Sequence, residues 1–133
     1  MSYTLAPGIV TARAQALLNA LDADVNPANL KLYTGPQPTA GAPPTGLTLL
    51  ADCELPQPAG TVSGGTLTLG SIADTLIVAD GIAAWGRLED GAGDWCLDGN
   101  CGLSGSGALI RLDRLDLVTG GLVRITLGQF VEP

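Results

Sequence analysis

The sequence predicts a mainly β fold, an antiparallel β-sandwich of about eight or nine strands with one short N-terminal helix. Apolar residues make up 46 % of the chain, and they come in short runs separated by 19 glycines and nine prolines. Such runs favour a sandwich or barrel over a helix bundle. The last third also alternates apolar and polar residues, as half-buried strands do. With 133 residues the chain has the size of one domain and can bury a core, so we expect a single domain over 1–133.

The segment Pro7–Leu21 is the helix candidate. Proline suits a first helical turn, and the helix should end before Asn26-Pro27, because a residue preceding proline avoids helical geometry. Residues 1–6 are predicted to be a flexible lead-in. The helix either covers one sheet or docks on a neighbouring subunit, and the first is favoured because one apolar stripe needs only one surface. Apolar residues recur at spacings of three and four at Ile9, Val10, Ala14, Leu17, Leu18 and Leu21.

A proline-rich segment follows the first predicted strand, Leu30–Thr34. Residues 35–46, GPQPTAGAPPTG, contain four prolines and three glycines. This composition excludes a helix or a central strand, because proline lacks the backbone donor that both require. We interpret the segment as an exposed arm that could wrap a neighbouring subunit, with a plain surface loop as the alternative.

The remaining strands are read from alternation and from glycine turns. Ile110 and Leu112 occupy even positions and Leu115 and Leu117 odd ones, so the apolar face of the strand switches near Asp113-Arg114. This switch predicts a bulge or sharp bend there. Gly120-Gly121 is a two-residue turn of the type found in hairpins. Strands are predicted at Leu47–Leu55, Thr66–Leu69, Ala108–Leu112 and Leu122–Phe130.

Residues 81–102, GIAAWGRLEDGAGDWCLDGNCG, contain both tryptophans and two of the three cysteines. We predict one strand over 82–90, a turn at 91–93, a returning strand over 94–97 and a second turn at 98–100. This double turn would fix the strand register around a packed Trp85. Cys96 and Cys101 flank the second turn, so a disulfide is sterically possible, although a reducing compartment favours free thiols.

Charge argues against several partners. Six basic residues stand against thirteen acidic ones, giving a net charge of −7, and Lys31 is the only lysine. Because binding to phosphates requires clustered Lys and Arg, we exclude nucleic acid and anionic membranes as partners. No apolar run approaches the length of a membrane span, and no secretory signal precedes the helix. We therefore expect the protein to be made and kept in the cytoplasm, or to leave it only inside a larger assembly.

Catalytic chemistry is sparse, and we predict no catalytic, cofactor or metal site. The chain has no histidine, which removes the commonest general base, the triads built on it and most zinc sites. Asp90, Asp94, Asp98 and Asn100 resemble calcium ligands in spacing but do not fit the EF-hand pattern, so we interpret them as turn residues. Trp85 and Trp95 are interpreted as packing residues.

Several segments occur in a characteristic order. An Ala- and Leu-rich helix is followed by "LKLYTGPQP", "LLADCEL", "TLTL", "AAWGRLEDGAGDWCLDGNCGLSG" and "LVRITLG". This order resembles a group of small proteins of tailed bacteriophages and prophages, in which an "LKIYTGPRP"-type segment, an "A-x-W-x-R-x-x-D-x-x-G" strand and turn, and a "DG-x-V-G-x-S-G" turn recur. The resemblance covers about Arg13 to Leu127. This chain departs from it at Cys101, where the group usually has an apolar residue.

The resemblance implies a non-enzymatic virion structural protein. Our preferred interpretation is a capsid decoration or cement protein with a jelly-roll-like sandwich, bound outside the head as a trimer. Its partners would be the major capsid protein and copies of itself. A tail or baseplate accessory protein, or a fibre module that contacts a host receptor, is the alternative; a cell-wall hydrolase ranks below both. The predicted assembly contacts lie in the helix and the arm, at Ile9, Val10, Leu17, Leu18, Leu21, Pro36, Pro38, Pro43 and Pro44.

Overall fold

The computed structural model describes residues 4–39 and 41–131, and it confirms a mainly β chain with one helix. Residues 1–3 of the predicted lead-in lie outside the described residues, and 4–6 are in neither helix nor strand. The helix α1 spans Pro7–Leu21. The strands are β1 Asn29–Tyr33, β2 Leu49–Glu54, β3 Gly60–Ser63, β4 Thr66–Leu69, β5 Thr75–Leu76, β6 Gly81–Ile82, β7 Trp85–Glu89, β8 Trp95–Leu103, β9 Ile110–Leu112, β10 Asp116–Leu117, β11 Leu122–Val123 and β12 Ile125–Val131.

Eight strands form one curled sheet in the order β2-β1-β7-β8-β9-β12-β4-β3. The pairs β6–β10 and β5–β11 form two separate two-stranded ladders. The prediction of a purely antiparallel fold is wrong at one pair, since β8 and β9 run parallel, with Cys101 opposite Ile110. Residues 104–109 make this possible by folding back in a tight loop. Its turn is closed by the Ser106 N–H, which donates to Leu103 O at 3.0 Å, and Gly105 adopts a positive φ of 87°.

The helix has the predicted bounds and lies over β3 and β4. Its buried side chains are Ala14, Leu18 and Leu21, which share one stripe at spacings of four and three. Beyond the last turn, Asp22 accepts a hydrogen bond from the Ala59 N–H at 2.9 Å, which fastens the end of the helix to the loop before β3. The helix therefore covers part of the sheet of its own chain.

One hydrophobic cluster joins the helix, the main sheet and both short ladders. Its members include Leu21 from the helix, Leu32 and Leu112 from the main sheet, and Ile77 and Val123 from the region of the β5–β11 ladder. Because all these elements share one core, the small ladders pack onto the same interior as the main sheet.

The stretch 81–102 differs from its prediction in two places. The strand expected over 82–90 is divided into β6 and β7, which belong to different sheets. The second turn is wrong, since residues 98–100 lie inside β8. The physical reason is that Asp98 pairs with Arg87 and Gly99 packs tightly, where an added Cβ would lie 3.2 Å from Leu109 Cδ1. Trp85 is packed as predicted.

The chain does turn at Gly120-Gly121, where Gly120 has a φ of 91°. The strands on either side, however, do not pair with each other, because β10 pairs with β6 and β11 with β5. The bend predicted near Asp113-Arg114 is where the chain leaves β9 of the main sheet and enters the small β6–β10 ladder. The turn at Gly120-Gly121 and the bend at Asp113-Arg114 thus lie where the sequence predicts them. The strands that flank them pair with segments elsewhere in the chain and not with each other.

Candidate functional site: the anchored arm

The arm, residues 35–46, connects β1 to β2 and packs on the β1–β7–β8 part of the sheet; Ala40 within it lies outside the described residues. Tyr33 is opposite Trp85, and Arg87 is opposite Asp98. Since alternate residues of a strand share a face, Trp85 and Arg87 point to the same side of β7. The strand register therefore brings four side chains together beneath the arm.

An aromatic stack forms the base of this site. The rings of Tyr33 and Trp85 lie 4.7 Å apart between centroids at an interplanar angle of 14°. The Cζ atom of Arg87 lies 5.2 Å from the Trp85 ring centroid, in the range of a cation–π contact. The Trp85 Nε1–H donates to Thr34 O at 2.8 Å, and Thr34 is the residue that immediately precedes the arm.

Arg87 and Asp98 form a buried ion pair. The side chains are 6 % and 5 % exposed, and Arg87 Nε donates to Asp98 Oδ1 at 2.7 Å while Nη2 donates to Oδ2 at 3.0 Å. The hydrogen bond to Asp98 raises the pKa of Arg87, so the guanidinium stays charged. Nη2 also donates to Ala42 O at 2.8 Å. One buried cation thus satisfies a carboxylate and holds the backbone of the arm.

Trp95 provides a second contact for the arm. A Cβ added at Gly41 would lie 2.5 Å from two atoms of the Trp95 ring, so the glycine backbone lies directly against the indole. Gly41 also has a φ of 73°, which disfavours other residues. The Trp95 Nε1–H donates to Asp98 Oδ1 at 3.2 Å, so the indole is oriented by the same carboxylate that binds Arg87.

Turns inside the arm keep it close to its own chain. The Ala42 N–H donates to Thr39 O at 3.0 Å, and the Thr45 N–H donates to Pro43 O at 2.8 Å. At its base, Thr34 and Thr48 exchange two hydrogen bonds of 3.0 and 3.1 Å. These hydrogen bonds fold the described part of the arm back onto the sheet of its own chain, with Pro36 and Pro43 exposed.

The predicted assembly contacts fall into two groups. Leu18 and Leu21 are buried in the core of the chain and form no part of its surface, which corrects their assignment as contacts. They face inward because the apolar stripe of the helix covers β3 and β4. The other predicted contacts remain at least partly accessible: Ile9, Pro36 and Pro43 are exposed, and Val10, Leu17, Pro38 and Pro44 are half-buried.

The three cysteines are free. Cys96 and Cys101 lie five positions apart on the same strand, and both pack against the hydrophobic cluster. Burial, followed by the proximity of Cys53, raises the pKa of Cys101 to about 12. Burial also raises the pKa of Cys53 and Cys96. Because the thiolate is the reactive form, these thiols are poor nucleophiles at neutral pH.

A half-open groove of about 270 Å³ lies between the loop after β4 and the strand β12. Its charged residues are Arg124 and Asp74, joined by hydrogen bonds of 3.1 and 3.2 Å. The pairing lowers the pKa of Asp74 and raises that of Arg124. The two charges neutralise each other, so the groove has no free cation for an anionic ligand.

The described residues contain neither a metal-binding cluster nor a membrane-spanning helix. In residues 4–39 and 41–131, no three His, Cys, Asp or Glu side chains are grouped closely enough to bind a metal ion. Nor does this part of the chain contain a helix with the length and apolarity needed to cross a membrane. Comparison with known protein families, curated proteins and solved structures finds no match to the chain.

The sequence did not reveal that Tyr33, Trp85, Arg87 and Asp98 come together beneath the arm; we call these four side chains the anchor. The spacing of Trp85 and Arg87 was a usable signal, because two residues separated by one position on a strand share a face. Their partner Asp98 was not recognisable, since it stands in a D-G-N triplet that is typical of a turn. The buried arginine itself is unusual enough to indicate a paired carboxylate nearby.

Proposed function

We propose that the chain is a non-enzymatic structural protein of a phage virion, a decoration or cement protein bound outside the head as a trimer. It would stabilise the head through contacts with the major capsid protein and with copies of itself. One observation carries the proposal. The two segments with the most specific resemblance, "LKLYTGPQP" and "AAWGRLEDGAGDWCLDG", supply Tyr33, Trp85, Arg87 and Asp98, which together hold the arm.

The anchor gives those motif residues a physical task that suits assembly. The arm is held on its own sheet by the hydrogen bond from Arg87 to Ala42 O and by the contact of Gly41 with the Trp95 ring. Binding by a preorganised surface costs less entropy than binding by a mobile one. Pro36 and Pro43 are exposed on this arm and add rigid apolar contact area. A preformed surface of this kind supports repeated, identical contacts with many capsid subunits.

We further propose that the curled sheet is a β-sandwich of the jelly-roll type that the resemblance implies. Support comes from the shared core, in which Leu30 and Leu32 of β1, near one edge of the sheet, belong to the same cluster as Leu67 of β4 and Phe130 of β12, near the other edge. Facing strands that close on common side chains are typical of sandwiches. An experimental structure in which β1–β2 and β4–β12 do not face each other across these side chains would contradict the assignment.

The function is tested with heads from a phage that lacks this gene. Such heads should release DNA at a lower temperature or denaturant concentration than complete ones, and purified protein added back should restore their stability. A variant with Pro36→Asp and Pro43→Asp should fail to restore it, because two charges would be desolvated at the contact. Thr61→Asp, exposed on the edge strand β3, is the matched control and should restore stability. Equal stability of heads with and without the protein would overturn the decoration role and leave a tail role.

A further inference from the structure

A second surface lies away from the arm, on a ribbon made of residues 75–83 and 115–123. The ends of these two segments pair antiparallel in one common register, and residues 118–121 form a turn in which the Gly121 N–H donates to Val118 O at 3.0 Å. Leu76 is opposite Leu122, and Ile82 is opposite Asp116. Between the two ladders, the Ile77 N–H donates to Gly121 O at 2.9 Å, and beyond the β6–β10 ladder the Ala83 N–H donates to Leu115 O at 2.9 Å. The two short ladders are therefore parts of one continuous ribbon.

The ribbon carries aliphatic residues on both sides. Its inner side chains pack on the core, with Ile77, Ala83, Leu117 and Val123 at most 2 % exposed. Most of its outer side chains are aliphatic too, and strand alternation points them away from the core, on the same side as Asp116, which is opposite Ile82. The outer residues are exposed by 55 % at Leu76, 54 % at Val78, 60 % at Ile82, 64 % at Val118 and 52 % at Leu122.

This outer side differs from an ordinary surface strand. An antiparallel ribbon with one face on the core usually carries polar residues on the other face. Single exposed apolar residues are common on proteins, but a group on one surface marks an interaction site. Here Leu76 and Leu122 are direct cross-strand partners, so their side chains adjoin and form the centre of the group. The outer face of the ribbon is therefore built as a contact surface.

The charges around the group are acidic. Asp80 and Asp116 lie on the ribbon, and Glu54 lies on β2, the strand to which the ribbon is bonded through the Val78 N–H and Leu50 O at 2.8 Å. No described cation pairs with these three carboxylates. The nearby arginines are already paired, Arg124 with Asp74 at 3.1 Å and Arg114 with Asp113 at 3.7 Å.

This charge distribution selects the kind of partner. A second copy would bring the same acidic residues against one another, on chains that each carry a net charge of −7. A surface with lysines or arginines around an apolar centre would complement both the aliphatic group and its rim. Such complementarity speeds association and disfavours self-pairing through this face.

We propose that the outer face of the ribbon docks on a different protein whose contact surface has an apolar centre and a Lys/Arg rim. On a phage head this partner would be a capsid subunit, an identification that rests on the function proposed above. The docking surface itself does not depend on that function.

The test places the photo-crosslinking residue p-benzoylphenylalanine at Leu122 in the full chain, with Thr61 as the exposed control position on β3. Crosslinking is carried out in phage-producing cells and in purified virions, and the crosslinked peptides are identified by mass spectrometry. We expect Leu122, and not Thr61, to crosslink to one other protein, at a segment that combines apolar residues with Lys or Arg. The yield should fall several-fold between about 0.05 M and about 0.5 M salt, because the rim contacts are screened.

Other outcomes overturn the proposal. Crosslinks from Leu122 to copies of this chain would make the ribbon a self-association surface. The same conclusion would follow if analytical ultracentrifugation showed that Leu76→Ser/Leu122→Ser no longer forms the oligomer of the wild type. Yields no higher than at Thr61 would show that nothing docks there. A partner found in cells while the chain is absent from virions would remove the virion function and leave the ribbon surface in place.

Discussion

Removing Arg87 should destabilise the fold strongly, because its guanidinium is buried beneath the arm as the partner of Asp98. Asp98 is 5 % exposed in the intact chain, and Arg87→Met leaves its carboxylate with only the Trp95 Nε1–H as a side-chain donor. Loss of one partner of a buried pair costs about 3–5 kcal/mol, because the remaining charge stays desolvated. Whole domains are stable by about 5–15 kcal/mol, so this single substitution should remove a large share of the free energy of unfolding.

The double variant Arg87→Met/Asp98→Leu separates charge burial from packing. With both charges gone, we expect it to be more stable than Arg87→Met alone and to lie within about 2 kcal/mol of the wild type. Urea unfolding followed by far-UV circular dichroism measures the free energies. Arg124→Met, which breaks an exposed pair, is the matched control and should leave the unfolding midpoint unchanged.

The arm supplies an independent readout for the same variants. Both Arg87 variants lose the donor to Ala42 O, so proteinase K should cut within residues 35–46 faster than in the wild type. The reasoning is refuted if Arg87→Met costs less than about 1 kcal/mol and the double variant is no more stable than the single one, since a buried uncompensated carboxylate would then carry no penalty.

Three further predictions concern single residues. Gly41→Ala should displace the Trp95 ring and shift its fluorescence. Gly46→Ala is the control, because Gly46 also has a positive φ (78°) but open space around an added Cβ, and it should not shift the fluorescence. Equal shifts in both variants would show that backbone strain alone is responsible. Gly86→Ala places a Cβ 2.7 Å from a core side chain and should cost about 1–3 kcal/mol in urea unfolding; a neutral effect would mean that the strand shifts freely. The pKa of Cys101 is raised from 9.0 to about 12, so the folded state favours the neutral thiol. The free energy of unfolding should therefore be unaffected below pH 9 and should fall as the pH rises towards 12, by roughly 4 kcal/mol at most. Cys101→Ala should flatten the loss of stability between pH 9 and 11, and an unchanged slope would contradict the assignment.

Local patterns predicted the elements that local forces determine. The spacing of apolar residues from Ile9 to Leu21 and the proline at the first turn gave the helix with its observed bounds. The alternation in Thr66–Leu69 and the packing of Trp85 are likewise visible in the sequence. These features depend on residues close together in the chain, which is why a pattern suffices to find them.

Features that depend on distant partners were not predictable. Asp98-Gly99-Asn100 reads as a turn, but Arg87 on the neighbouring strand uses Asp98 as a partner and the triplet becomes part of β8. The parallel approach of β8 and β9 follows from a fold-back loop that no period in the sequence reveals.

The ribbon was missed for a related reason. Leu76 and Leu122 are ordinary aliphatic residues in the sequence, and only the pairing of their segments shows that both point outward. Alternation identifies two faces of a strand but not which face the core covers, when both faces are apolar. Sequence reasoning accordingly placed the contact surfaces in the helix and the arm alone.

The number of copies of this protein in a purified virion tests the central claim most directly. Quantitative mass spectrometry of CsCl-purified particles, referred to the major capsid protein, gives this ratio. We predict a copy number on the order of hundreds, in a fixed ratio to the capsid subunits, as a symmetric shell requires. A handful of copies, matching the tail or baseplate proteins, would contradict the decoration role, and absence from the particle would contradict any structural role in the virion.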